Sequence, residues 1–238
     1  MIEPPPASTW NLILDALPPS DRDAIVGRMR HEVLGPQQTL VEAGQRIDRV
    51  LFPITAVISL LTTLSDGTGV ETATVGREGM VGVAVFLQDD RAPNSRAVVQ
   101  LAGGGLSIGV DDFRACLTGS AKLESLMYSY TRALLLQFGQ SVACTASHSI
   151  SQRLARWLLQ TTDRVGSESV NLTQEFIAEV LGVRRASVTD AFRVLRRRGA
   201  VETHRSSIEI VGRARLREAA CECYGFLHEE YERIYGAS

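Results

Sequence analysis

Leu172-Thr173-Gln174-Glu175-Phe176-Ile177-Ala178-Glu179-Val180-Leu181-Gly182-Val183 is the stretch that decides the fold. Thr173 is placed to cap a helix, because its hydroxyl can accept from the amides that a helix start leaves unpaired. Phe176, Ile177, Val180 and Leu181 supply one inward face, and Ala178 is small where a second helix must cross closely. Gly182 falls where the chain has to turn sharply past the helix end. A second helix is expected from about Arg184 to Arg197, with Val188, Ala191, Phe192 and Leu195 inward at helical spacing. That leaves Arg185, Ala186, Ser187, Thr189, Asp190 and Arg193 on its outer, N-terminal face. Beyond Gly199, Val201 to Val211 reads as a short hairpin tipped by Thr203-His204-Arg205-Ser206-Ser207. Cap, small residue, glycine turn, basic second helix and β wing together describe a winged helix-turn-helix, whose second helix enters the major groove of duplex DNA.

Charge supports this reading. Arg184, Arg185, Arg193, Arg196, Arg197, Arg198, Arg205, Arg213, Arg215 and Arg217 lie close together, with only Asp190, Glu202 and Glu209 among them. The whole chain carries a formal charge of −2, so everything upstream is correspondingly acidic. A basic block in an acidic protein is the electrostatic footprint of a module that binds a polyanion. Arg reads guanine O6 and N7, while Ser and Thr contact bases or phosphates. The candidate DNA contacts are therefore Thr173, Arg184, Arg185, Ser187, Thr189, Asp190 and Arg193, with Arg205 in the wing touching phosphate.

Upstream the period changes. From about Val33 to Ile108 the chain reads as short strands broken by turn signals, including Gly44, Ser65-Asp66-Gly67-Thr68-Gly69, and Gly103-Gly104-Gly105, which is read as a turn between the last two strands. Many short strands with Gly at the corners indicate a small barrel or roll. A long helical stretch follows, roughly 111–162, with a break near Gly119-Ser120. Leu123, Met127, Tyr130, Leu134, Phe138 and Ser141 make one apolar stripe along it. The stretch is too long for so small a barrel to cover, so part of it is expected to pair with a second copy. The expected class is α+β, divided into a flexible arm (1–10), a β-roll sensor domain (11–120), a dimerisation helix (121–146) and a winged helix-turn-helix (147–238).

Composition excludes other classes. With 238 residues, 45% hydrophobic and 22% charged, the chain is long enough for one large globular domain or two ordinary ones. It contains no apolar run of the roughly 20 residues that a membrane helix needs. The first residues lack a basic segment followed by an apolar one, so no signal peptide is expected and the expected location is cytoplasmic. Cys116, Cys144, Cys221 and Cys223 suit reduced thiols better than a disulfide framework. Cys221-x-Cys223 has no second cysteine pair nearby and reads as weak for a metal, and His31, His148, His204 and His228 are scattered. No metal site is expected. Nor is an enzyme, since no nucleophile–base pairing, metal-ligand spacing or phosphate loop is present.

These residues resemble the CRP/FNR family of regulators over nearly the whole chain. The match is most specific at Arg153-Leu154-Ala155-Arg156-Trp157-Leu158-Leu159 and at Leu172 to Val211. It is looser at Gln38–Gly44, Asp66-Gly67 and Gly76–Phe86. The resemblance implies a cyclic-nucleotide-binding-like roll, a dimer helix, a palindromic operator and contact with RNA polymerase. Two departures matter. Well-known members begin the recognition helix with Glu and place Arg four residues later, where this chain has Ala186 and Asp190. Asp190 then either accepts from cytosine N4 or pairs with Arg193 or Arg185. In the sensor domain, the family's Gly-Glu pair on the ribose becomes Gly82-Val83, and its Arg-Ser pair on the phosphate is replaced by Ser95-Arg96. Val83 cannot bond a hydroxyl, so cyclic AMP sensing is not expected, and Gly82, Val83, Ser95 and Arg96 line whatever site remains. No cysteine precedes Cys116, which excludes the family's N-terminal iron–sulfur cluster. No cofactor is expected, and the effector is unknown. The competing reading is a small-molecule sensor that signals through protein contacts and has lost DNA binding.

Overall fold

A computed structural model of the protein describes residues 10–65, 69–91, 94–204 and 207–236. The arm and the turn at Asp66-Gly67 thus fall largely outside the described residues. In chain order the elements are α1 (Leu12–Asp15), α2 (Pro19–Val26), β1 (Arg30–Leu34), β2 (Thr39–Val41), β3 (Arg49–Pro53), β4 (Val57–Thr63), β5 (Gly69–Val75) and α3 (Val83–Phe86). Next come β6 (Ser95–Leu101), β7 (Gly103–Gly109), α4 (Val110–Gly119), α5 (Ala121–Ser147), α6 (Ile150–Val165) and β8 (Ser169–Val170). The chain ends with α7 (Gln174–Leu181), α8 (Arg185–Arg197), β9 (Val201–Thr203), β10 (Ile208–Ile210), α9 (Arg213–Ala219) and α10 (Cys223–Tyr235). The mixed α+β class expected from the pattern is what the chain adopts.

Two compact units divide these elements. The first comprises Met1–Leu60, Thr74–Leu135 and Glu230–Ser238, and the second Leu61–Ala73 and Leu136–Glu229. In the first, β1, β7 and β3 form one antiparallel sheet, and a second sheet has the order β2-β6-β4-β5. Leu34, Leu51, Ile58, Val75, Val81 and Val99 are buried together between strands. Apolar side chains at alternate positions make one face of a strand bury while the other meets water.

Gly103-Gly104-Gly105 corrects the expected turn. All three lie inside β7, opposite Leu34, Val33 and Glu32 of β1. A Cβ on Gly103 would sit 2.4 Å from the Ala56 nitrogen, so β7 needs a residue without one there. The amides of Ile54 and Thr55 both point to the Gly104 carbonyl, at 2.9 and 3.2 Å. Gly103, and less tightly Gly105, face close backbone from a crossing segment, a use of glycine that looks like a turn in sequence, whereas a Cβ at Gly104 would meet only ordinary contacts.

The break near Gly119-Ser120 is present: α4 stops at Gly119, and the Ser120 hydroxyl accepts from the Leu123 amide to start α5. A further break follows α5, where Ser149 and Gln152 form a reciprocal capping box for α6. Along α5, Leu123, Met127, Tyr130 and Leu134 are buried within their own chain. The Tyr130 hydroxyl donates to the Met80 carbonyl at 2.8 Å. A different stripe faces outward: Tyr128, Leu135 and Val142, spaced by seven, are 61%, 63% and 70% exposed.

The second unit is built on α6, whose Leu154, Trp157, Leu158 and Leu159 are fully buried. Against it pack α8 and α9. The far part of the β4–β5 hairpin belongs here too: Trp157 donates to Glu71 at 3.0 Å, and Val70 methyls lie against Gly182.

Candidate nucleic-acid interface

Thr173 caps α7 with its hydroxyl, accepting from the Phe176 amide at 3.2 Å. At the other end, Gly182 adopts φ +64, the left-handed conformation that reverses the chain into α8. A Cβ at Gly182 would come within 3.1 Å of Val70, so strain and crowding both favour glycine. The buried guanidinium of Arg153 donates to the Leu181 carbonyl at 2.6 Å, satisfying the terminus of α7 from α6. Burial lowers the pKa of Arg153 from its ordinary value. Nothing in the residue pattern distinguished this arginine from its neighbour Arg156.

In α8, Val188, Ala191, Phe192 and Leu195 are buried, as their spacing requires. Arg184, Arg185, Ala186, Asp190 and Arg193 are largely exposed, and Ser187 and Thr189 are half-buried. The outer face is internally paired. Arg185 meets Glu175 of α7 at 2.8 Å, and Arg193 meets Asp190 at 2.5 Å. Of the two readings of Asp190, the pairing with Arg193 is the one present in the free chain. The Thr189 hydroxyl lies 2.8 Å from the Gln174 amide oxygen and 3.2 Å from the Arg185 carbonyl, which joins the two helices. Glu175 and Gln174 are thus part of the surface, although sequence showed them only as members of the first helix.

The wing is a three-stranded sheet, β8-β10-β9. Arg196 ties α8 to it by donating to the Thr203 hydroxyl at 3.2 Å. Arg205, at its expected tip, lies outside the described residues. A cleft of about 150 Å³ opens between the start of α7, α8 and the wing, lined in part by Thr173, Gln174, Arg185, Thr203 and His204. The basic block is not uniformly outward. Arg213 bonds Asp163 and Glu168, and these carboxylates outweigh burial to raise its pKa. Arg215 donates to the Gly199 carbonyl. The arginines after the wing therefore help to hold the unit together, and those of α8 form its charged surface.

In the first unit, Gly82 precedes α3 with φ +100 and Val83 opens that helix, half-buried. Ser95 and Arg96 open β6 and are half-buried as well.

Residues 152–219 match the Crp-like helix-turn-helix domain family. No curated protein is recognisably similar in sequence. Among solved structures, a crp/fnr-family transcriptional regulator from Eubacterium rectale superposes with a TM-score of 0.69 at 14% identity, over 89% of this chain and 99% of its own. FixK2 from Bradyrhizobium japonicum gives 0.63 at 13% identity, over 81% and 98%. A CRP/FNR-family regulator from Thermus thermophilus gives 0.62 at 15%, over 80% and 98%. The chain therefore carries a Crp-like helix-turn-helix domain within the fold of CRP/FNR-family transcriptional regulators.

Proposed function

We propose that this protein is a sequence-specific DNA-binding transcriptional regulator of CRP/FNR type that acts as a homodimer and does not respond to cyclic AMP. The observation that carries the reading is the outer face of α8, where Arg185, Asp190 and Arg193 are exposed on a helix whose opposite face is buried. Arg185, Ser187, Thr189 and Arg193 face bases or neighbouring phosphates, with Asp190 among them. Thr173 and Arg184 flank the groove, and Arg205 touches phosphate. The first amides of α8 have no side-chain cap, which suits a phosphate oxygen. The ion pairs on this face are solvent-exposed and worth about 0–1 kcal/mol each. A good bidentate base contact is worth about 1–3 kcal/mol, so exchanging the acid for DNA is favourable.

Exposed Tyr128, Leu135 and Val142, which repeat one position along a single face of α5, support a second copy pairing there, because such a face gains burial against a partner helix. Val83 supports independence from cyclic AMP, since its side chain offers no acceptor or donor to a ribose. No described helix is long and apolar enough to cross a membrane, and the reading places the protein in the cytoplasm beside DNA and RNA polymerase. Selection from a randomised duplex pool at about 0.15 M salt tests it. A palindrome with half-sites about one helical turn apart is the expected result. If no sequence is enriched, with or without cell extract, the DNA-reading assignment fails and a sensor signalling through protein contacts takes its place.

A further inference from the structure

Cys144 lies in the last turn of α5, and His148 follows just past its end, its amide donating to the Cys144 carbonyl at 3.1 Å. Cys221 and Cys223 flank the start of α10, more than seventy residues later. Folding brings all four into one cluster, in which a ligand atom from each residue lies within 4.8 Å of every other. The Cys144 and Cys221 sulfurs are 3.6 Å apart, and the Cys223 sulfur is 3.7 Å from His148 Nδ1. A zinc ion with Zn–S bonds of about 2.3 Å places tetrahedral sulfurs about 3.8 Å apart. The cluster thus has the dimensions of one ion's coordination sphere. An iron–sulfur cluster, with sulfide-bridged irons between its cysteines, holds its ligands farther apart.

The surroundings fit the same chemistry. All three cysteines are buried, so no ligand position is left open to solvent on the thiol side. The other ring nitrogen of His148, Nε2, is 3.1 Å from the Glu222 carboxylate. A carboxylate on the distal nitrogen fixes the tautomer that presents Nδ1 to a metal, the usual outer partner of a metal-bound histidine. The Gln140 amide donates to the Cys223 sulfur at 2.9 Å, a bond that favours a thiolate. Arg153 and Arg156 lie in the field of Cys144, where their charge offsets the surplus anion of three thiolates on a divalent ion.

We propose that Cys144, His148, Cys221 and Cys223 form a tetrahedral Cys₃His site for a zinc-class divalent ion that clamps the end of α5 to the start of α10. Binding replaces three S–H protons with three metal–sulfur bonds, and the protons leave to solvent with no change of oxidation state. With four protein ligands and no open position, the site is structural in kind and not a Lewis-acid centre.

The test uses the reduced full chain, and none of its readouts involves DNA, so it stands apart from the regulator reading. Elemental analysis should find one zinc per chain. After chelation, titration with Co²⁺ should give visible d–d bands and sulfur-to-cobalt charge transfer that saturate at one equivalent. Cys144→Ser and Cys221→Ser should weaken cobalt binding by more than about 100-fold, and Glu222→Gln by about 10- to 100-fold. Cys116→Ser, in α4, should leave the spectrum unchanged. Circular dichroism shows whether each variant keeps its helices. The proposal is overturned if folded, reduced protein binds no zinc or cobalt. It is equally overturned if Cys221→Ser retains the parent spectrum, or if the only reaction at the cluster is a Cys144–Cys221 disulfide.

Discussion

The outer face of α8 and the cysteine–histidine cluster lie in the same unit and hold charge in opposite ways. On α8, Arg185 and Arg193 are paired with Glu175 and Asp190 at the surface, where water screens each pair and either partner can leave. In the cluster, three buried sulfurs face one another with little water to share their charge. A buried charge must be compensated on the spot, by a proton or by a metal. The contrast separates a surface built to exchange partners from a cluster built to keep one.

The largest effect should come from the cluster. A metal held at 1,000 times its dissociation constant adds about 4 kcal/mol of stability. In a chain of this size, removing it should lower the thermal midpoint by roughly 10 °C. The same chelator should leave the midpoint of Cys221→Ser unmoved, because that variant has no site to empty. Calorimetry with and without chelator checks both. Equal shifts in the two proteins would break the contrast, since the chelator would then be acting elsewhere.

On α8 the expected effects are smaller and fall on binding. Arg185→Ala should cost about 1–3 kcal/mol on the selected site and relax the sequence choice there, with little loss on random duplex. Arg205→Ala should instead weaken all duplexes alike and flatten the dependence on salt. Competition binding at two salt concentrations distinguishes the two. Equal losses on specific and random DNA for both variants would remove the division between base reader and phosphate contact.

The same contrast explains what sequence revealed. The helix-turn-helix was legible because its signals are contiguous: the Thr173 cap, Gly182 at φ +64 and the buried set Val188, Ala191, Phe192 and Leu195 follow one another along the chain. Its ion pairs were legible only in part. Asp190 and Arg193 are three apart on one helix, but Arg185 and Glu175 meet only through the turn. The cluster was not legible. Cys221-x-Cys223 looked isolated because its complement is split: Cys144 lies on a helix read as a dimer element, and His148 lies just past the end of that helix. No local pattern says that the end of α5 returns to the start of α10. The glycine run in β7 failed for the converse reason: a local turn signal was overridden by the approach of a distant segment. Similarly, Leu123, Met127, Tyr130 and Leu134 of the stripe chosen from sequence are buried in their own chain and Phe138 and Ser141 are half-buried, whereas the stripe left exposed is Tyr128, Leu135 and Val142.

The smallest expected effect bears most directly on whether the α8 face is an exchange surface. Asp190 stands 2.5 Å from Arg193 on an exposed turn, so its removal costs the fold little. In a complex, the carboxylate would lie close to the phosphate backbone, and Arg193 would have to leave it to reach DNA. Asp190→Asn keeps the shape, abolishes the charge and releases Arg193. Affinity for random duplex should therefore rise by a few-fold, within about 1 kcal/mol, and the slope of log affinity against log salt should steepen by up to about one phosphate's worth. The thermal midpoint should stay where it is. If Asp190 instead accepts from cytosine N4, the same variant loses affinity at one base position and gains nothing on random DNA. The sign of the change on random duplex thus decides between an acid that restrains the groove-facing arginine and one that reads a base.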